Sequence, residues 1–314
     1  MRRALVLCVI ILAIATGALA EGGKLLRRMF GLGGDTSPVS VPVGVETHTI
    51  SIGGTSRTYS VYAPSKDSAK APVVVAFHGG GQNAMRFATG ANLFAMADHY
   101  GFVLAMPEGV GNSWNTGMTS PQGYAATHGV DDVGFVRGML GELAASGRIN
   151  PKRVYSMGVS EGGMMSYQAA CSLPGQFAAI GVVAGTLSSG SCANSQGVSL
   201  LHIHGTNDQN VPLNGGRGEN TGQAANWASP LQGIQTFAKG ESCSAKWAAS
   251  QLTSDTTCYT TSCPGNDTVE YCLVQGGGHT WPGVASTGRQ ARQGTVSTMT
   301  FSATDMIAQF FLAH

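Results

Sequence analysis

Three residues spread through the chain have the types and spacing for covalent catalysis: Ser160, Asp208 and His279. Gly158-Val159-Ser160-Glu161-Gly162 has the spacing G-x-S-x-G. A serine on a sharp strand-to-helix turn is held in a strained conformation and lifted clear of a sheet. Glycines two residues to either side leave room for the chain to fold back. The positive end of the following helix then faces charge that develops beside Ser160. In a chain with 45 glycines such a pentapeptide also arises by chance, so the weight rests on the strand before it and the helix after it.

A serine hydroxyl is a weak nucleophile at neutral pH and needs an adjacent base. On this strand–turn–helix framework its partners follow in the chain order acid, then histidine. Of eight histidines, His279 and His314 lie after Ser160 with room for an acid before them. His314 ends the chain, whereas His279 sits in Gly276-Gly277-Gly278-His279-Thr280-Trp281-Pro282, just past an apolar run. The acids in between are Asp208, Glu219, Glu241, Asp255, Asp267 and Glu270. Asp208 alone directly follows a buried-type strand, and functional groups in open α/β sheets collect at the carboxyl ends of strands. The chemistry implied is acyl transfer: Ser160 attacks a carbonyl, His279 takes its proton, and Asp208 holds the imidazole in one tautomer.

Other segments could complete such a site. His78-Gly79-Gly80-Gly81 ends another apolar run. Glycines there allow backbone N–H groups to approach a substrate and, with the N–H of Glu161, to form an oxyanion hole. His78 itself precedes the acid and is read as structural. Trp114 and Trp281 are candidates to line an acyl or aromatic pocket. No Cys-x-x-Cys lies beside histidines, so zinc is not indicated, and the chemistry needs no metal or organic cofactor.

The elements that must hold these residues are legible in the hydrophobic pattern. Residues 48–52 and 57–62 alternate around Gly53-Gly54, an antiparallel hairpin. Residues 72–77, 102–106, 153–157, 179–184, 200–204 and 269–274 read as strands; 72–77 and 102–106 are apolar enough for burial on both faces. Helices are expected over 87–97, 130–145 and 161–170, within 231–251, and over 304–312. Asp131 and Asp132 fall in the first turn of the second of these, where the helix dipole favours them. Alternation of strands and helices predicts an α/β fold, a mainly parallel sheet with helices on both faces and an antiparallel edge. Residues 213–230, rich in Gly and Asn with Trp227, read from their position after Asp208 as a loop over the site.

Composition bounds the rest. Charged residues are 11%, well under the ~25% of an average soluble domain. The net charge of +1 gives no electrostatic footprint for nucleic acid. Arg2 and Arg3, an apolar run over 5–14, and Ala18-Leu19-Ala20 read as a secretory signal peptide over 1–20, too short for a membrane span. Residues 21–44 read as a loosely ordered lead-in, and 45–314 as one catalytic domain. No membrane anchor is indicated, and a monomer is expected, secreted or periplasmic. Cys8 lies in the leader. Cys171, Cys192, Cys243, Cys258, Cys263 and Cys272 remain, an even number that in an exported chain reads as disulfides.

Four segments together resemble the secreted polyhydroxybutyrate depolymerase and feruloyl/acetyl-xylan esterase group of carbohydrate esterase family 1. They are Phe77-His78-Gly79-Gly80-Gly81-Gln82-Asn83, Gly158-Val159-Ser160-Glu161-Gly162-Gly163-Met164-Met165, His204-Gly205-Thr206-Asn207-Asp208 and Gly277-Gly278-His279-Thr280-Trp281-Pro282-Gly283. The resemblance runs from about residue 46 to the end and implies an α/β-hydrolase fold. It also implies a Ser160, Asp208, His279 triad, an oxyanion hole from Gly80 or Gly81 with Glu161, and a Cys171–Cys192 bridge. In one respect the chain departs from the group: no cysteine stands shortly after Trp247, around Leu252, to pair with Cys263, while Cys243, Cys258 and Cys272 are extra. Three pairings of Cys243, Cys258, Cys263 and Cys272 therefore stay open. The expected activity is a secreted serine esterase on polyester or plant cell-wall esters. The rival is a catalytically silent hydrolase fold that serves as a secreted binding protein.

Overall fold

The computed structural model describes residues 42–64, 70–118, 122–193, 195, 197–219 and 225–314. The expected signal peptide over 1–20 and nearly all of the lead-in over 21–44 lie outside these. The described residues fall in one compact unit, Val39–His314.

Apolar runs make the centre of the sheet. β3 (Ala71–Phe77), β4 (Val103–Pro107), β6 (Ala179–Val183) and β7 (Ser199–Gly205) are buried at every position. With β5 (Ile149–Val159) and β12 (Thr268–Val274) they form six parallel strands in the order β4-β3-β5-β6-β7-β12. β1 (Val45–Ile52) and β2 (Thr55–Tyr62) add an antiparallel hairpin at the β4 edge. β10 (Ala248–Thr253) and β11 (Thr256–Ser262) add a second one at the β12 edge. β8 (Gly216–Arg217) and β9 (Asn226–Trp227) form a short separate ladder within the segment read as a loop.

Helices cover both faces, as the alternation predicts. α4 (Asp132–Ala145), α5 (Glu161–Ser172) and α6 (Pro230–Gly240) pack Phe135, Met165 and Phe237 into the core on one face. α1 (Ala84–Gly90), α2 (Leu93–Tyr100) and α8 (Ala303–Ala313) pack Phe87, Met96 and Phe311 on the other. Two further short helices, α3 (Gly123–Thr127) and α7 (Gly288–Arg292), lie in the connections. Asn83, Asp131, Ser229 and Ser302 cap α1, α4, α6 and α8 by accepting the backbone N–H three residues on.

Some expectations need correcting. The single helix over 87–97 is two, because the chain breaks at Asn92, which stands at φ 60° in the left-handed region. Asp131 is the N-cap of α4, and Asp132 falls in its first turn. Asp132 is buried and bonded to Arg57 at 2.6 Å, with the guanidinium stacked over Phe135. The β10–β11 hairpin lacks a sequence signal because nearly all of β10 is exposed and carries no apolar face. Cys171 bonds Cys192, Cys243 bonds Cys263, and Cys258 bonds Cys272 across the β11–β12 ladder.

Candidate active site

The turn at Ser160 is built on steric necessity. β5 ends at Val159, and Ser160 stands at φ 56°, ψ −124°, a conformation that a non-glycine residue holds only under strain. Its N–H donates to Val183 O at 2.8 Å. A Cβ on Gly158 would stand 2.3 Å from the carbonyl of Gly162, and one on Gly162 only 2.0 Å from Phe77 O. Both glycines of the pentapeptide are therefore fixed by close backbone approach.

Asp208 and His279 follow the strands beyond. Asp208 follows β7 and is buried. Its Oδ1 accepts the backbone N–H groups of Asn210 and Val211 at 2.8 and 2.9 Å, and its Oδ2 accepts Nδ1–H of His279 at 2.8 Å. Burial alone would raise the Asp208 carboxyl, but the His279 charge and hydrogen bond, with His204 and Val211, hold it below the usual carboxylate range. His279 follows β12, and Gln290 Nε2 grips its carbonyl at 2.7 Å. The two loops are pressed together at Gly205, where a Cβ would stand 2.2 Å from Gly277 O. With Nδ1–H given to Asp208, His279 presents the bare Nε2 as base.

Ser160, Asp208 and His279 thus emerge at the carboxyl ends of β5, β7 and β12, within four neighbouring parallel strands. No hydrogen bond joins Ser160 Oγ to His279 Nε2 among the described residues, a contact that often tightens only with substrate. His314 is occupied elsewhere, bonded to Thr268 and Phe310 O. Of the other acids, Glu241 accepts the N–H groups of Gly197 and Val198, and Asp255 accepts four threonine hydroxyls.

The glycine loop is braced from beneath. His78 is fully buried, donates Nδ1–H to Gly79 O at 2.9 Å and accepts Gly109 N–H at Nε2 at 3.0 Å. Burial pulls it down to about 4, so it stays neutral. Gly81 donates its N–H to Asn112 O at 2.8 Å, which removes it as an oxyanion donor. Gly80 N–H has no acceptor among the described residues. Glu161 N–H stands in the first turn of α5, where no intrahelical acceptor exists.

Both tryptophans are buried. Trp114 is wholly buried, with Phe77 and His78 against its ring, and its Nε1–H donates to His78 O at 2.9 Å. Trp281 packs edge-on to Phe87 and donates to Thr304 Oγ1 at 2.9 Å. Both were expected at the substrate; each is instead a core residue that braces the loop carrying a site residue. A side chain that sequence reasoning passed over is Glu161, whose carboxyl lies against Gly80. Burial pushes it up to about 8, against a lowering bond from the Trp114 backbone, with Asp132 adding to the rise. Among the described residues, a metal-type cluster of Cys258, Glu270 and Cys272 has both thiols spent on a disulfide.

The sheet order and the serine turn define an α/β-hydrolase fold. A solved structure of an acetyl xylan esterase from Aspergillus awamori shares it, with a TM-score of 0.59 at 15% identity over 86% of this chain and 100% of that one. Residues 57–213 match the family described as esterase PHB depolymerase, and the chain belongs to that family of esterases. NocK, a candidate esterase of Nocardia uniformis subsp. tsuyamanensis, is 30% identical over 77% of this chain and 76% of its own length. Feruloyl esterase B of Piromyces equi is 28% identical over 67% of this chain, but this chain spans only 39% of it.

Proposed function

We propose that this chain is a secreted serine esterase working through an acyl-enzyme on polyhydroxybutyrate-type polyesters or on feruloyl and acetyl-xylan esters. The reading is carried by the 2.8 Å Asp208–His279 bond at strand ends beside the strained Ser160 turn. Ser160 Oγ attacks the ester carbonyl carbon while His279 Nε2 takes its proton. The tetrahedral oxyanion is held by the N–H groups of Glu161 and Gly80. The C–O bond then breaks, and the alcohol leaves with the proton from His279. Water, deprotonated by the same imidazole, attacks the acyl-serine and releases the acid. Asp208 keeps the imidazole oriented and offsets its charge throughout.

Export is supported by the leader-like first twenty residues and by three disulfides, which persist in oxidising compartments. No described helix is long and apolar enough to cross a membrane. The substrate class is set by chromatography of acids released from methyl ferulate, acetylated xylan and polyhydroxybutyrate powder, with Ser160→Ala as blank. Ferulate or acetate alone defines a cell-wall esterase, and 3-hydroxybutyrate or its oligomers a polyester hydrolase. No acid above the blank leaves the silent binding protein as the better reading.

A further inference from the structure

Behind Asp208 runs a line of buried polar rings that the triad does not use. His202 and His204 lie two apart on β7, so both side chains point to one face of the sheet. That face packs against the nucleophile helix α5, which contributes Tyr167. Tyr167 Oη lies 2.9 Å from His202 Nδ1, His202 Nε2 lies 3.1 Å from His204 Nδ1, and His204 Nε2 lies 2.9 Å from Val211 O. His204 Nε2 is also 3.5 Å from Asp208 Oδ2. None of the three rings is more than 1% exposed.

Only one direction of hydrogen bonding satisfies this line. Val211 O and the Asp208 carboxylate can only accept, so His204 Nε2 must carry its proton. His204 Nδ1 is then an acceptor and takes Nε2–H from His202. His202 Nδ1 is an acceptor in turn and takes the Tyr167 hydroxyl proton. The reverse direction sets a lone pair against a carbonyl and a carboxylate in the core, and a buried polar atom so orphaned costs about 1–3 kcal/mol. Burial drives both imidazoles toward the neutral form and the phenol likewise, so the line stays a chain of dipoles. The titratable groups that face His204 are His202 on its own strand, Asp208 and His279 on the loops, and Tyr167 through His202.

We propose that His204 is a positioning residue for Asp208, held as the Nε2–H tautomer by the Tyr167–His202 relay, so that the nucleophile's helix fixes the donor facing the acid's loop. Val211 is the hinge of the effect. Its carbonyl accepts from His204, and its N–H donates to Asp208 Oδ1. The carboxylate is thereby oriented for His279 from behind.

The inference rests on the serine-esterase reading, and its test separates the two. Steady-state hydrolysis of p-nitrophenyl acetate is measured for wild type, His204→Leu, His204→Gln, Tyr167→Phe and Ser160→Ala, each checked by near-UV circular dichroism and thermal melting. Folded His204→Leu should lose kcat by about 10- to 100-fold with KM unchanged. His204→Gln, which keeps a donor near the Nε2 position, should recover most of it. Tyr167→Phe should lose less, again in kcat alone. Imidazole 15N spectra of the full chain should find His202 and His204 both as Nε2–H tautomers, unchanged from pH 5 to 9. A folded His204→Leu with wild-type kcat, while Ser160→Ala is inactive, overturns the positioning role and leaves the esterase reading intact. Activity that survives Ser160→Ala overturns the esterase reading instead. Should His204→Leu fail to fold, the wild-type spectrum decides: either ring as the Nδ1–H tautomer overturns the proposal.

Discussion

The Glu161 carboxyl lies against Gly80: a Cβ built on Gly80 would stand 2.8 Å from Glu161 Oε2. The residue after Ser160 thus places its side chain beside the glycine loop. Since burial pushes this carboxyl up to about 8, it is protonated at neutral pH. Raising the pH through about 8 puts a negative charge beside the loop proposed to hold the oxyanion, so turnover should fall on the alkaline side. In Glu161→Gln, which mimics the neutral acid, that alkaline limb should disappear from the pH–rate profile. Stability carries the same sign. From 4.5, the ordinary glutamate value, to about 8, the native state holds a proton that the unfolded chain has released. Glu161 therefore stabilises the fold below that window and loses its contribution as pH rises through it. A wild-type and a Gln variant with identical profiles would contradict this placement.

Gly205→Ala should separate the acid and base loops. The added methyl meets Gly277 O at 2.2 Å, which is backbone and cannot swing aside. Overpacking should cost about 1–3 kcal/mol, and moving His279 from Asp208 about a hundredfold in kcat. Thermal melting and steady-state kinetics on one soluble ester read both; a variant with lower melting temperature but full kcat would contradict the loop coupling.

Arg57→Met should destabilise strongly. It strands Asp132, whose side chain is 0% exposed and also accepts Asn115 N–H at 2.7 Å. Breaking a buried pair from one side costs about 3–5 kcal/mol, read as a shift in the urea midpoint. A shift worth under about 1 kcal/mol would place the pair among exposed ion pairs.

Replacing Cys171 and Cys192 together by serine opens a loop of separation 21 behind the nucleophile helix. The expected loss is about 3 kcal/mol, with kcat at low temperature near wild type because the bridge lies at the far end of α5 from Ser160. Equal denaturant midpoints for oxidised wild type and the double variant would contradict it.

The parallel centre of the fold was legible in the sequence because strands buried on both faces are apolar at every position, as in Val73, Val74 and Val75. Gly158 and Gly162 were legible for a similar reason: backbone approach tolerates no other residue there. The Asp208–His279 pairing followed from strand ends and chain order. What escaped depends on side chains meeting across elements. Gly81 looked equivalent to Gly80 until Asn112 O took its N–H. Trp114 and Trp281 looked available because an indole serves equally as wall or as core, and only packing decides. The β10–β11 hairpin was silent because nearly all of its outer strand is exposed, with no run of buried apolar residues to mark it. His202 and His204 left a trace, two imidazoles at strand spacing in an apolar run, but their partner Tyr167 lies on another element.

The most direct test of the central claim is labelling with a fluorophosphonate, followed by intact mass and peptide mapping. The expected outcome is one adduct per chain on Ser160, with stoichiometric loss of ester hydrolysis and no label in Ser160→Ala. An unlabelled wild type that still hydrolyses esters, or an adduct on another residue that abolishes activity, would contradict the assignment of Ser160 as nucleophile.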